Sequence, residues 1–283
     1  MYTDIAINLS HIHPKQYHII KKNTQKPEDI LQQDDQFYSN NNIPQAVAKR
    51  LQSPNDAKIQ KIIRWVNQKK IHIINESDSR YPKYLKQCPC HPPMIYLMGQ
   101  PTALQSPSIS IVGSRNASTY GLRVTQQLTA ALAKQGFVIA SGLAIGIDHT
   151  AHQACLEAQQ QTIAVIGLGL DNITPQQNRQ LAESITRQGC IISEMPPETP
   201  YQKHCFPRRN RIISALSVAT LIPEATLASG TLSTAQYTID LNRDLLVVPG
   251  RIDQPQASGC HWLIQQGAHL VTSPEDCKHI LCS

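Results

Sequence analysis

With 283 residues and a formal charge of +6, the chain is long enough to bury a core without covalent staples, and its basic balance favours a polyanionic partner. Its eight cysteines are scattered without a Cys-x-x-Cys pair, and the N-terminus lacks a basic start followed by an apolar core, which points to a reducing, cytoplasmic setting. No apolar run approaches the roughly 20 residues that cross a bilayer, so no membrane span is expected.

Residues 1–68 are rich in Gln, Asn, Lys and Ile, with short helical patterns over Ala46–Leu51 and Ile59–Val66 and prolines at 27, 44 and 54 between them. They read as a small helical domain, whose lysines and arginines suit a solvated face better than a nucleic-acid contact. Residues 69–283 read as a second domain. It opens on a strand at Ile71–Ile74, and Tyr81-Pro82 and Pro92–Gly99 then suggest an extended connection along a sheet edge. Between these lies Cys88-Pro-Cys90-His91, which lacks zinc-site spacing and a matching second pair. It reads as a structural loop, and no metal is expected.

Beyond Ser108 the chain alternates. Strands are predicted at 109–112, 137–140, 162–166, 190–193, 218–222 and 245–248, with helical patterns between nearly every pair. Such alternation predicts an α/β fold with a mostly parallel sheet and helices on both faces. In such sheets ligands bind outside the carboxyl ends of the strands. The first strand runs into Gly113, Ser114 and Arg115 and then a helix from near Thr119, a geometry that brings unpaired N–H groups and a guanidinium to an anion. Alone, this loop is equally a plain βα turn, since it is neither the dinucleotide fingerprint nor a Walker loop. Three more small-residue loops fall on the same rim: Ser141–Asp148 with Gly142, Gly167–Leu170, and Ala228–Thr231 with Ser229 and Gly230. Together they point to a phosphate-lined groove.

The densest basic cluster, Arg208-Arg209-Asn210-Arg211, follows the fourth of these strands in a predicted loop with Lys203 and Phe206. Cations beside a ring suit a nucleic-acid single strand, with phosphate on the guanidinium groups and a base on the ring. A core Phe206 with helix-capping arginines would read the same way, and residue chemistry leaves both open. No catalytic set assembles: His149 and His152 lack a third partner, Ser114 and Ser141 lack a histidine, and Asp148 suits a loop brace or N-cap. No cofactor is expected.

These motifs resemble those of the DNA-processing protein A family, also called Smf. The resemblance runs through Ile111–Arg115, Ser141–Ala144 with Gly146–Asp148, Ala151-His152, Thr162–Val165, Gly169-Leu170, Ile192–Glu194, Phe206-Pro207 with Arg209–Ile213, Ser229–Thr231, Val248–Gly250, and Leu263-Ile264 with Gly267-Ala268. It implies an extended Rossmann-like domain that binds single-stranded DNA and forms a homodimer, preceded by a helical domain resembling sterile-alpha-motif folds. It further implies a binding protein without catalysed chemistry, which protects incoming single strands during natural transformation and loads the RecA recombinase past single-strand-binding protein. Carried over by motif, the DNA-binding residues are Gly113, Ser114, Arg115, Gly142, Lys203, Phe206, Arg209, Asn210, Arg211, Ser229 and Gly230, with Arg208 added from the same basic cluster. The sequence departs from the family pattern at Thr174-Pro175, Asn242-Arg243 and His261, and the winged-helix module of many relatives is not expected within it. The competing reading is a nucleotide-binding or nucleotide-processing enzyme of the lysine-decarboxylase-like superfamily. Against it, Thr234 stands where that superfamily's glutamate would fall.

Overall fold

The computed structural model describes residues 1–202 and 204–281. Residues 1–68 form five α-helices, α1 (Tyr2–Leu9), α2 (Pro14–Lys22), α3 (Asp35–Asn40), α4 (Gln45–Gln52) and α5 (Asp56–Gln68), with a 3-10 helix at Pro27–Gln32. Local chemistry sets their starts. The side chains of His13, Asp34 and Asn55 each accept a backbone N–H from the first turn of the helix they precede. In α5, Ile59, Ile62 and Val66 recur at helical spacing and are buried. The segment has its own core around Ile7, Ile20, Ile30, Tyr38 and Leu51. It is also docked: Ile5 and Ala6 of α1, with the α5 stripe, pack against Met94, Tyr96, Ala164 and Ile191 of the sheet domain.

The rest alternates as predicted. In chain order it forms β1 (His72–Asn75), α6 (Lys83–Lys86), β2 (Met94–Gly99), β3 (Ser108–Ile111), α7 (Thr119–Lys134), β4 (Val138–Ser141), α8 (Ile147–Glu157), β5 (Thr162–Ile166), α9 (Arg179–Gln188) and β6 (Cys190–Ser193). The chain continues through α10 (Cys205–Leu216), β7 (Ala219–Ile222), α11 (Thr231–Asp240), β8 (Asp244–Val247), α12 (Ser258–Gln265), β9 (His269–Leu270) and α13 (Pro274–Leu281). Strands β3 to β7 are buried throughout, which is why they appear in the sequence as apolar or small-residue runs rather than alternations.

Among the described residues the strands make one nine-stranded Rossmann-like sheet in the order β1-β2-β6-β5-β4-β3-β7-β8-β9. Of the strand pairs in it, only β1–β2 and β2–β6 are antiparallel. The expected edge connection is thus a two-stranded edge. One face carries α10, α11 and α12 through Ile212, Ile213, Ala235 and Cys260. On the other face α7 and α8 pack against Ile109, Ile111 and Ile139. The chain winds from β3 outward to β6, then returns to place β7 against the free side of β3. Connections from β3 and β7 therefore leave in opposite directions, and a crevice opens between them.

The basic cluster Arg208–Arg211 is not in the loop expected from the sequence; it lies in the first turns of α10. Pro207 obscured this in the sequence, yet a proline in a helix's first turn removes no intrahelical hydrogen bond.

Candidate functional site

A cleft of about 710 Å³ opens at the β3–β7 crevice. It is walled by Gly113, Ser114 and Arg115 after β3, by Ala144 and Asp148 after β4, and by Ser229, Gly230 and Thr231 at the start of α11. Phe206, Arg209 and Asn210 of α10 close one side, with Tyr201 at the mouth. The 113–118 loop is held from β7. Ser114 N–H donates to the Glu224 carbonyl at 2.8 Å, while the Glu224 carboxylate accepts from Ser118 N–H at 2.8 Å and from the Ser118 hydroxyl. The Ser118 hydroxyl oxygen in turn caps α7 by accepting from Gly121 N–H. Gly113 is required by space, because a Cβ there would stand 2.6 Å from Ile147 and 2.7 Å from the Glu224 carbonyl.

The cleft floor is a buried charge arrangement. Arg209 reaches from α10 under the sheet's carboxyl end and donates to the Gly142 carbonyl at 2.6 Å and to the Val165 carbonyl. Asp148 accepts from Gly142 N–H at 3.1 Å and Ala144 N–H at 3.4 Å, the loop brace expected from sequence. Burial pulls the Arg209 guanidinium down to about 10, with Asp148 opposing and Arg115 reinforcing the shift. Burial likewise pushes the Asp148 carboxyl up, against Arg209 and the surrounding loop N–H groups. A side chain on Gly142 would place its Cβ 2.6 Å from both groups. Gly142 therefore serves the cleft from beneath it rather than lining it.

The four cluster residues point in different directions because each step along a helix turns about 100°. Arg209 faces the floor, and Asn210 reaches α11, donating to Ser233 Oγ at 2.8 Å. Arg208 and Arg211, one turn apart, share Glu194 at 3.2 and 2.6 Å. Arg211 also donates to the Cys90 carbonyl at 2.6 Å and is 6% exposed, so it is buried in an ion pair away from the cleft. Arg115, by contrast, is exposed at the rim and makes no ion pair among the described residues. Lys203 lies outside the described residues.

The structure thus gathers Gly113, Ser114, Arg115, Phe206, Arg209, Asn210, Ser229 and Gly230 at one cleft, and leaves Gly142, Arg208 and Arg211 as supports around it. Of the four small-residue loops, Gly167–Leu170 falls outside the cleft walls. Two contributors were not anticipated. Tyr201 stands 61% exposed with its ring 5.5 Å from that of Phe206, and Glu224 holds the 113–118 loop. A lone tyrosine in a Pro-flanked loop carries no sequence signal, whereas a carboxylate directly after a buried strand, near a helix start in space, is visible only once the strand order is known. Chemically, the lining offers guanidinium groups, hydroxyls of Ser114, Ser229, Thr231, Ser233 and Thr234, and two rings, with the Asp148 carboxylate engaged below. That set suits holding an anion with an attached ring system.

Residues 72–281 match the profile of the family described as DNA recombination-mediator protein A. The chain is 38% identical over 277 residues to protein Smf of Escherichia coli, covering 98% of the chain and 70% of that protein. Among solved structures, DNA processing protein A of Streptococcus pneumoniae superposes with a TM-score of 0.86 at 31% identity, over 98% of this chain and 96% of that one. DNA processing protein A of Helicobacter pylori, whose structure concerns its single-stranded DNA binding mode, superposes with a TM-score of 0.68 at 29% identity, over 75% and 96% of the two chains. No helix among the described residues is long and apolar enough to cross a membrane.

Proposed function

Because the chain belongs to the DNA recombination-mediator protein A family, we propose that it binds single-stranded DNA in the β3–β7 cleft without catalysing a reaction on it. The observation that carries this reading is the pairing, at one rim, of an exposed guanidinium on Arg115 with the Tyr201–Phe206 rings. Successive phosphates lie over the Arg115 guanidinium beside Gly113 and Ser114, and over Ser229 and Gly230 at the start of α11, where a helix N-terminus favours anions. Phe206, with Tyr201 beside it, takes a base on its face, a contact worth about 1–3 kcal/mol per base and blind to sequence. Duplex DNA offers the rings no free base and binds more weakly. Lys203 joins the cationic rim on the resemblance alone, and Arg208 and Arg211 act through the position of α10. In the cell we place the protein in the cytoplasm, as a homodimer that shields incoming strands during transformation and passes them to the RecA recombinase past single-strand-binding protein. Two linked clefts on one strand would raise affinity through effective concentration.

A mononucleotide is the second reading, since a cavity of this volume accommodates one. Photo-crosslinking to an iodouridine-substituted single strand separates the readings by location and length. We expect adducts on Phe206 or Tyr201 that a tenfold excess of nucleotide does not suppress. Adducts confined to residues 1–68 would overturn the cleft assignment, and full suppression by nucleotide would favour the second reading.

A further inference from the structure

At the junction between the helical segment and the sheet, three ligand-type side chains from distant parts of the sequence converge. His18 comes from α2, Glu76 from the residue after β1, and His91 from the turn before β2, and their donor atoms all lie within 4.8 Å of one another. We propose that His18, Glu76 and His91 form a zinc site that pins the helical segment to the sheet domain. The hydrogen-bond pattern carries the argument. His18 Nε2 lies 3.0 Å from the His91 carbonyl, and His91 Nδ1 lies 2.7 Å from the Cys88 carbonyl. A carbonyl only accepts, so each ring donates its N–H there. The remaining nitrogens, His18 Nδ1 and His91 Nε2, both turn to the same atom, Glu76 Oε2, at 3.7 and 3.0 Å. With both far N–H groups spent on carbonyls, the near nitrogens and Glu76 Oε2 need a further positive species among them, a proton or a metal ion.

This is the arrangement of metal-binding histidines, whose far N–H is fixed on a backbone carbonyl while the near nitrogen is directed at the ion. Ligands of a tetrahedral zinc at its usual bond lengths stand about 3.3 Å apart, between the two separations found here. Two imidazoles and one carboxylate suit zinc rather than calcium or magnesium, which take mostly oxygen. The His18 and His91 rings also lie against each other, with centroids 4.0 Å apart, which limits their rotation. The competing cation is Lys21, whose Nζ is 2.5 Å from the other Glu76 oxygen, Oε1. Its side chain is 34% exposed, so it has solvent to move into when a dication is bound. The Cys88-Pro-Cys90-His91 run thus gives one ligand to a site whose other two members come from 15 and 73 residues away in the sequence.

The test uses the full chain stripped with chelator and titrated with Zn²⁺, with Co²⁺ as a visible probe. We expect one zinc per chain, a cobalt spectrum without a sulfur-to-metal charge-transfer band, and a melting temperature raised by zinc. His18→Ala, which removes a partly exposed ring and is the safer variant for folding, is expected to weaken zinc binding by about tenfold or more. Lys21→Ala, which removes the competing cation, is expected to strengthen it. A network held only by a shared proton predicts no zinc binding and no gain from Lys21→Ala. Absence of zinc binding at 10 µM metal, a thiolate band, or unchanged zinc affinity in His18→Ala would each overturn the proposal.

Discussion

Arg115 and Arg209 show how differently two arginines can serve one cleft. Arg115 is exposed and available to a phosphate, whereas Arg209 is 7% exposed and already donates to two strand-end carbonyls. Removing Arg209 leaves those carbonyls unpaired and takes the nearby positive charge from buried Asp148, so Arg209→Ala is expected to lower unfolding free energy by roughly 3 kcal/mol in urea denaturation. A loss below about 0.5 kcal/mol would show that the floor does not depend on it. The place of the Gly113-Ser114-Arg115 loop at the rim was legible in the sequence because it follows from small residues set between a strand and a helix. The division of labour among Arg208, Arg209, Asn210 and Arg211 was not. Four adjacent charges look alike in a sequence, and only the phase of α10 decides which face the cleft and which face Glu194.

Among the elements, strands β3 to β8 were read within a residue of their observed ends, because buried parallel strands are continuous apolar runs and the segments between them have helical periodicity. Strand β9 was missed, since two exposed residues carry no such pattern. Helix α8 supplies a pH test. Its His152 is fully buried, with Nδ1 2.7 Å from Thr162 Oγ1 and Nε2 without a partner among the described residues. The Thr162 hydroxyl already donates to the Ile139 carbonyl, so His152 Nδ1 carries the proton and the ring is neutral. Burial pulls its pKa from 6.5 down to about 3, with the neighbouring His149 and Arg209 adding to the shift. The unfolded chain therefore binds a proton that the folded chain refuses between these values, and stability falls as pH drops through that window. We expect a loss on the order of a few kcal/mol between pH 6.5 and 3 in the parent protein, and a slope shallower by about one proton in His152→Leu. Equal slopes would contradict the neutral buried ring.

At the scale of the whole molecule, the strand order puts the cleft where the sheet's winding reverses. Sequence alternation alone predicted a parallel sheet and a rim of small-residue loops, but it left open which loops meet. The return of the chain to lay β7 beside β3 brings Gly113 and Gly230 together and leaves Gly167–Leu170 outside. The helical segment was legible as helices, while its docking through α1 and α5 depends on long-range packing that no local pattern reports.

The most direct test is fluorescence anisotropy of a labelled single-stranded oligonucleotide over a salt series, with matched duplex as competitor, for the parent chain and Arg115→Glu. The cleft account predicts preference for the single strand and a salt slope of about 0.7 per phosphate neutralised. It further predicts at least about tenfold weaker binding and a smaller slope in Arg115→Glu, at an unchanged melting temperature. Equal affinity for both DNA forms, or affinity and slope untouched by Arg115→Glu, would contradict it.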